Sequence, residues 1–217
     1  MLVEERMTKN PITIPPETSV HEAEMIMRRN HFHRLPVVDE NGHLIGFLLD
    51  RDILKVSPSP ATSLAKYEVM ELLNQMKVAD IMKKDVPTIN PEASIEEAAY
   101  LMYTKNVNGL PVISSVGAVV GILTERDLFK CFVDMMGLSE GRVLLTINVE
   151  DRTGLVRDVT AIIAGAGYNI NSLSACQKWD GRSEVNVRVA AKDAEAIVKL
   201  VNAAGFNVTY TAKIGQQ

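Results

Sequence analysis

The chain has 217 residues, of which 47% are hydrophobic and 23% are charged, a composition that supports a packed core and argues against disorder. The formal net charge of −4 argues against a general nucleic-acid binder, because phosphate backbones require a basic surface. No apolar run approaches the roughly 20 residues of a membrane helix, and the acidic segment 1–7 lacks the apolar core of a signal peptide. We therefore expect a cytoplasmic protein with reduced cysteines and no nucleic-acid or membrane partner.

Residues 1–60 predict a β-α-β-β-α unit. Glu17-Thr18-Ser19 opens an amphipathic helix, Pro36 lies at the edge of an apolar strand, and Asn41-Gly42 is a favoured hairpin dipeptide. The predicted elements are, in chain order, an extended piece at Thr13-Ile14, a helix over Val20 to Asn30, a strand over Leu35 to Val38, a strand over Leu44 to Leu48 and a helix that starts at Asp50.

Residues 78–137 repeat this unit at a constant offset of 75 positions. When Val3–Lys55 is placed over Val78–Lys130 without a gap, 20 of the 53 aligned positions are identical, a density that indicates an internal duplication. A Ser-Pro breaker at 57–60 and a linker helix over Leu64 to Met76, within residues 61–77, separate the copies. One unit is too small to close a good core, so we expect the two to pack about a pseudo-twofold axis.

Residues 142–217 show a different pattern, whose order β-α-β-β-α-β is that of the ferredoxin-like split βαβ fold. Asp180-Gly181 marks a hairpin turn, and Gly205 ends the last helix. The predicted elements are a strand over Val143 to Val149, a helix over Leu155 to Gly165, strands over Tyr168 to Lys178 and Ser183 to Ala190, a helix over Asp193 to Ala204 and a strand over Phe206 to Thr211.

The duplicated unit resembles the CBS domain, and the tandem pair resembles a Bateman module. The resemblance rests on the Thr-Ile…Pro start, the Leu-Pro-Val strand and the helix entry at 121–127. Residues 142–217 resemble an ACT domain through the segments 151–155 and 167–170, and the order of domains resembles the AcuB family of acetoin-utilisation proteins. These resemblances imply an α+β fold and a regulatory, non-catalytic protein that requires no cofactor.

Thr124 and Asp127 have the spacing of a capping box, with Thr124 as N-cap and Asp127 at N3. The same carboxylate can accept hydrogen bonds from both ribose hydroxyls, and a helix N-terminus favours phosphate. The residues alone leave capping and ligand binding open, whereas the resemblance implies an adenosine nucleotide in a cleft shared by both copies. The residues implied for this main cleft are Thr13, Ile14, Phe32, His33, Arg34, Ile122, Thr124 and Asp127.

The second cleft of the pair is predicted to bind a nucleotide more weakly. Its helix entry carries Leu49 where a hydroxyl is expected, and its facing segment, 107–109, carries no cation. Asp52 and Thr88 are the candidates to hold a ribose. The residues implied for this cleft are Phe47, Asp52, Thr88, Ile89, Val107, Asn108 and Gly109.

The ACT resemblance implies a homodimer that binds an amino acid at the shared interface. Gly154 at a helix N-terminus would let a ligand carboxylate approach backbone N–H groups, while Asp151 takes the ammonium and Asn169 adds a hydrogen bond. Alternatively, Asp151 is a cap, Gly154 forms a tight turn and the domain only dimerises. The candidate residues are Asp151, Gly154, Leu155, Asn169 and Ile170.

No catalytic or metal site is predicted. The four histidines fall within residues 21–43, but no carboxylate or cysteine ligand pattern accompanies them, so histidines that face solvent or phosphate are favoured. No Ser/His/Asp set, Gly-rich phosphate loop or paired-carboxylate motif is present. The leading hypothesis is a sensor of AMP, ADP or ATP that controls an unidentified partner protein. The alternatives are a structural dimerisation scaffold with empty clefts and a nucleotide-processing enzyme.

Overall fold

The computed structural model describes residues 1–57, 66–138, 143–191 and 193–213. The chain divides into two compact units, Met1–Leu128 and Phe129–Gln217. Within the described ranges, no helix is both long enough and apolar enough to cross a membrane. Neither cysteine forms a disulfide in the part of the chain that the structure describes; Cys131 is buried and Cys176 is exposed.

Two copies of the β-α-β-β-α arrangement, each preceded by a short helix, make up the first unit, and in the second copy the first strand is reduced to a β-bridge between Lys83 and Phe47. The first copy comprises α1 (Val3–Arg6), β1 (Thr8–Lys9), α2 (Val20–Asn30), β2 (Arg34–Val38), β3 (Leu44–Leu49) and α3 (Asp50–Val56). After the linker helix α4 (Lys66–Gln75), the second copy comprises α5 (Val78–Ile81), α6 (Ile95–Lys105), β4 (Gly109–Ile113), β5 (Val119–Thr124) and α7 (Glu125–Met135).

Local capping explains why α2 and α6 have equivalent bounds in the two copies. The hydroxyls of Ser19 and Ser94 each accept a hydrogen bond of 3.1 Å from the backbone N–H three residues later, which satisfies a donor that the helix itself leaves unpaired. Both helices end at a residue in the left-handed conformation, His31 with φ 54° and Asn106 with φ 51°. The segments that lead into β2 and β4 therefore start from equivalent turns.

Each copy completes the β-structure of the other through its N-terminal segment. In the first copy, β1 pairs antiparallel with β5, which places Thr8 opposite Ile122. In the second copy, Lys83 and Phe47 exchange two backbone hydrogen bonds, of 2.9 and 3.0 Å. This reciprocal exchange joins the two copies as the predicted pseudo-twofold pair.

Two methionines fit at these crossings because glycine lies opposite them. Met7 lies against Gly121, and Met82, at the equivalent position of the second copy, lies against Gly46. A Cβ atom on either glycine would overlap the methionine sulfur. Neither glycine has a positive φ, so close packing rather than backbone conformation explains why these positions carry glycine.

The linker helix covers the core of the first copy. Leu73 of α4 is buried in the cluster that contains Ala23 and Ile53. Helix α4 occupies most of the range predicted for it, and Leu64, where that range began, lies outside the described residues. The breaker at 57–60 also falls largely outside them.

The second unit contains a four-stranded antiparallel sheet in the order β7-β8-β6-β9, which confirms the ferredoxin-like arrangement. Strand β7 begins later than predicted, because the N–H of Tyr168 still bonds to the Ile163 carbonyl at the end of the preceding helix. Leu145 and Val187 of the sheet form one core with the helices. The elements are β6 (Val143–Glu150), α8 (Leu155–Gly165), β7 (Ile170–Gln177), β8 (Arg182–Val189), α9 (Ala194–Ala203) and β9 (Asn207–Lys213).

The close packing of Met7 on Gly121 predicts a specific stability defect. Gly121→Ala should lower the free energy of unfolding by about 1–3 kcal/mol because the core there is already filled, and Met7→Ala in the same chain should recover part of the loss. Urea unfolding followed by circular dichroism measures both values. Gly165→Ala is the control, since no atom lies within 4 Å of its added Cβ. Strictly additive effects of the Gly121 and Met7 substitutions would contradict the contact.

Candidate functional site

A cavity of about 450 Å³ lies between the two copies of the repeat, inside the first unit. Its volume is within the range of small-molecule sites, roughly 300–1,000 Å³. This cavity is the first cleft. The residues that line it are Thr8, Pro11, Ile12, His31, Phe32, His33, Arg34, Asn108, Ile122, Thr124, Glu125, Arg126 and Asp127.

The structure brings six of the eight residues predicted for the first cleft to its wall, but not Thr13 and Ile14. Ile14 is only 2% exposed, because its backbone bonds to Pro36 and Val38 and its side chain joins the core of the first copy. Ile12, two residues earlier, takes its place on the cavity wall. The prediction for Thr13 and Ile14 is therefore corrected.

Some residues that line the first cleft were not predicted from the sequence, because the repeat pattern does not show how the two copies cross. The pairing of β1 with β5 carries segment 8–12 onto the second copy. A mixed pattern of hydrophobic and polar residues just before the Thr-Ile motif was the available signal, and nothing in it distinguishes a cavity wall from an ordinary loop. The lining residues not predicted are Thr8, Pro11, Ile12, His31, Asn108, Glu125 and Arg126.

Thr124 and Asp127 form the predicted capping box at the entry to α7. The Thr124 backbone N–H and its hydroxyl both donate to Asp127 Oδ2, at 2.8 and 2.7 Å. The Asp127 N–H lies 3.4 Å from the Thr124 hydroxyl oxygen. Oδ1 of Asp127 makes no hydrogen bond to any described residue. One carboxylate oxygen is thus used by the cap, and the other is left with its acceptor capacity beside the cavity.

Arg34 joins the two copies at the base of the cleft. Its Nη1 donates a 2.6 Å hydrogen bond to the Asn108 carbonyl, and a Cβ atom on Gly109 would overlap the guanidinium. Burial lowers the pKa of Arg34 from its ordinary value, while the Glu125 carboxylate is the strongest opposing influence. Arginine remains charged under such shifts, so the cleft contains a partly buried, fixed positive charge.

One histidine of the first cleft, His33, is oriented by a carboxylate. His33 Nδ1 lies 2.8 Å from Asp50 Oδ2, which leaves Nε2 as the nitrogen available to a ligand. His43 pairs with Asp39 elsewhere, at 3.2 Å. Among the residues the structure describes, no group of three or more His, Cys, Asp or Glu side chains is arranged to hold a metal ion.

A second cavity of about 370 Å³ occupies the equivalent position on the other side of the pair. It is the second cleft. Four of the residues predicted for it line the wall, and three do not: Asp52, Thr88 and Ile89. The lining residues are Phe47, Leu49, Arg51, Lys83, Asp85, Val86, Pro87, Lys105, Val107, Asn108 and Gly109.

Contacts elsewhere in the first unit explain why Ile89 and Asp52 do not line the second cleft. The backbone of Ile89 pairs with Pro111 and Ile113, as the backbone of Ile14 pairs with Pro36 and Val38 in the first copy. Asp52 is 5% exposed and bonds to Lys55 Nζ at 2.9 Å. The facing segment 107–109 carries no cation, and the cations that line this cleft come from other segments of the chain.

The residues predicted to bind a ligand in the ACT domain do not lie together within one chain. Asp151 accepts hydrogen bonds from Ser183 Oγ at 2.8 Å and Gln177 Nε2 at 3.0 Å, so it ties the ends of β7 and β8 rather than capping α8. Gly154, with φ 82°, is the N-cap residue of α8. The expectation that Asp151 is a cap is therefore wrong.

Asn169 lies at the opposite end of the sheet from Asp151. Strands β6 and β7 both pair antiparallel with β8 and run in the same direction. Asn169 precedes the start of β7, whereas Asp151 follows the end of β6, so the length of an eight-residue strand, about 25 Å, separates them. Leu155 is buried beside Gly154, and Ile170 begins β7. A site that uses both groups must take one of them from a second copy.

Comparison with protein families identifies both parts of the chain. The CBS domain model matches residues 3–59 and 78–134, more than half of the chain. The ACT domain model matches residues 141–204. CBS and ACT domains are regulatory modules.

Curated relatives share the repeat pair. A CBS domain-containing protein of Dictyostelium discoideum is 36% identical over 136 residues, covering 63% of this chain and 94% of the relative. An L-aspartate semialdehyde sulfurtransferase of Methanocaldococcus jannaschii is 31% identical over 131 residues, covering 60% of this chain. The match spans only 23% of that enzyme's length.

Solved structures give the same result for the first unit. The CBS domain pair of protein MJ0100, in complex with 5′-methylthioadenosine and S-adenosylmethionine, has a TM-score of 0.52 at 29% identity, with 62% of this chain and 97% of that chain covered. CBSX2 in complex with AMP has a TM-score of 0.51 at 27% identity, with 61% and 96% covered. A candidate acetoin utilization protein (AcuB) from Vibrio cholerae has a TM-score of 0.53 at 26% identity, with 64% and 96% covered. The chain belongs to the CBS-domain proteins and carries an ACT domain after its tandem CBS pair.

Proposed function

We propose that this protein is a cytoplasmic regulatory sensor whose first cleft binds an adenosine nucleotide of the AMP, ADP or ATP class. The observation that carries the proposal is the meeting of Asp127 from one CBS copy with Arg34 from the other on the wall of a single cavity. Solved CBS pairs similar to this one contain adenosine ligands, namely AMP in one case and methylthioadenosine with S-adenosylmethionine in another.

The chemistry of the wall suits each part of a nucleotide. Asp127 Oδ1 has the acceptor capacity for ribose hydroxyls, because charge-assisted hydrogen bonds to a carboxylate are strong. Ile12, Ile122 and Phe32 offer apolar contact to the adenine faces. Arg34, with its planar guanidinium, is suited to a phosphate group.

Binding in this position can be converted into regulation. The ligand contacts residues of both CBS copies, so it favours arrangements in which the copies are held as they are here. A partner protein responds only if the nucleotide binds two arrangements with different affinities. The similarity to the Vibrio cholerae protein makes acetoin utilisation the process in which we would look for that partner.

For the enzyme alternative, the acid–base pair considered was Asp127 with His33, and the two side chains do not contact each other. His33 contacts Asp50 rather than Asp127, and Asp127 is held by Thr124. Nucleotide turnover by the purified protein, abolished by Asp127→Ala, would support catalysis. The scaffold alternative expects no nucleotide binding at all.

For the ACT domain we propose that two copies pair and bind an amino acid between them. The separation of Asp151 from Asn169 along one sheet supports this, because a small amino acid cannot span about 25 Å. In a pair, Asp151 and the α8 N-terminus of one copy would face Asn169 of the other. The protein would then be a homodimer with a second input.

Loss of the Asp127 carboxylate should abolish most nucleotide binding. Asp127→Ala is expected to raise the Kd for AMP at least tenfold, equivalent to about 1.4 kcal/mol, as measured by isothermal titration calorimetry. Asp127→Asn keeps a carbonyl oxygen that can accept the hydrogen bonds from Thr124, so the cap and the folding stability are retained. This variant therefore shows the loss of nucleotide binding without a loss of folding stability. Glu96→Ala, an exposed change on α6, is the control. Unchanged AMP affinity in Asp127→Ala would exclude the first cleft as the nucleotide site.

Gly109 does not line the first cleft, but Gly109→Ala should weaken the binding of a phosphate group there through Arg34. The added Cβ displaces the Arg34 guanidinium and so weakens its contact with the phosphate. The Kd for AMP should rise about fivefold to tenfold, equivalent to roughly 1–1.4 kcal/mol, while the affinity for adenosine stays unchanged. Calorimetry with the two ligands measures the difference. An equal loss for AMP and adenosine would show general damage to the cleft.

An amino acid at the ACT pair should raise the thermal midpoint of the protein. A thermal-shift screen of the common amino acids should give at least one positive shift, and Asn169→Ala should remove it without changing the midpoint of the free protein. Sedimentation analysis should show a dimer. A monomer, or a shift that survives in Asn169→Ala, would contradict the proposed site.

A further inference from the structure

The second cleft has the walls of a binding site but lacks the groups that would hold a ribose. Leu49 occupies the position that Thr124 has in the first cleft, and it offers no hydroxyl. Asp52, the equivalent of Asp127, does not line the cavity. The two clefts are therefore related by the duplication but differ in the chemistry that they present.

The Asp52 carboxylate is turned away from any ligand in this cleft. Its Oδ1 bonds to Lys55, and its Oδ2 is sealed from solvent with no hydrogen-bond partner among the described residues. A ribose hydroxyl cannot reach an oxygen that water itself does not touch. The side chain that would define a nucleoside site is thus absent from the surface of the cavity.

Positive charge is what the second cleft offers instead. Arg51, Lys83 and Lys105 line the cavity with a single carboxylate, Asp85, which leaves an excess of two positive charges. These basic residues come from three different segments of the first unit, α3, the segment after α5 and the end of α6, so they converge only in the folded structure. All three are exposed, so an anion can reach them from solvent.

The remaining wall is apolar. Phe47 and Leu49 form a buried floor, and Val86, Pro87 and Val107 add apolar surface. A ligand of matching chemistry has a small apolar body and about two negative charges, which is the charge of a phosphate monoester near neutral pH. A simple inorganic anion would leave the apolar floor without a partner.

We propose that the second cleft binds a phosphate monoester with an apolar, non-nucleoside body. This site goes beyond the nucleotide site of the first cleft and does not depend on it. Its wall is nevertheless shared, because Asn108 lines both cavities and its carbonyl holds Arg34 of the first cleft.

The test uses phenyl phosphate as the probe, titrated into the full-length protein saturated with AMP. Saturable binding with a Kd no weaker than about 10 mM is expected, corresponding to roughly −3 kcal/mol. Phenol, which lacks the charge, should not bind. Lys83→Gln and Lys105→Gln should each raise the Kd about threefold or more. Lys84→Gln is the matched control, an exposed neighbour that does not line the cavity.

Three results would overturn the proposal. They are no saturable binding of phenyl phosphate, an equal loss of affinity in Lys84→Gln, and a second AMP per chain that Lys105→Gln removes. The last result would make the cleft a second nucleotide site. Asp127→Ala separates the two sites, because it should weaken AMP and leave phenyl phosphate bound with unchanged affinity.

Discussion

The reciprocal exchange of N-terminal segments between the two CBS copies is the constraint on which the first unit depends. Strand β1 of the first copy pairs with β5 of the second. In the opposite direction, the backbone of Lys83 in the second copy bonds to Phe47 in β3 of the first copy. Each crossing places a methionine of one copy against a glycine of the other. The cavity walls exist only where the copies cross, because each cavity is lined by residues of both copies.

The duplication sets up two equivalent clefts, and a few substitutions give them different chemistry. Thr124 in one copy corresponds to Leu49 in the other, and Arg34 corresponds to Gly109. Arg34 and Gly109 are also neighbours in the structure, since the Arg34 guanidinium occupies the volume that a side chain at Gly109 would need. A single change between the copies thus supplies a cation to one cleft and opens the wall of the other.

The pairing that we propose for the ACT domain would extend the same principle to two copies of the chain. Its sheet brings Ser183 and Gln177 onto Asp151, which organises one end of the domain around a carboxylate. The residues at the opposite end can complete a site only with another copy of the chain. The CBS pair is formed within one chain, whereas the ACT site that we propose needs two.

The sequence by itself determined the elements of both units, because hydrophobic periodicity, serine caps and hairpin glycines act over a few neighbouring residues. The offset of 75 positions predicted the pair, and the Thr124–Asp127 spacing predicted the cap with its correct partners. Only the tertiary structure decided which side chains face each cavity. Ile14 turned into the core and Ile12 faced the cleft, since backbone pairing with distant Pro36 selects the face of the chain. Lys83 and Lys105 of the second copy likewise line the second cleft together with Arg51 of the first copy, an arrangement that no local pattern records.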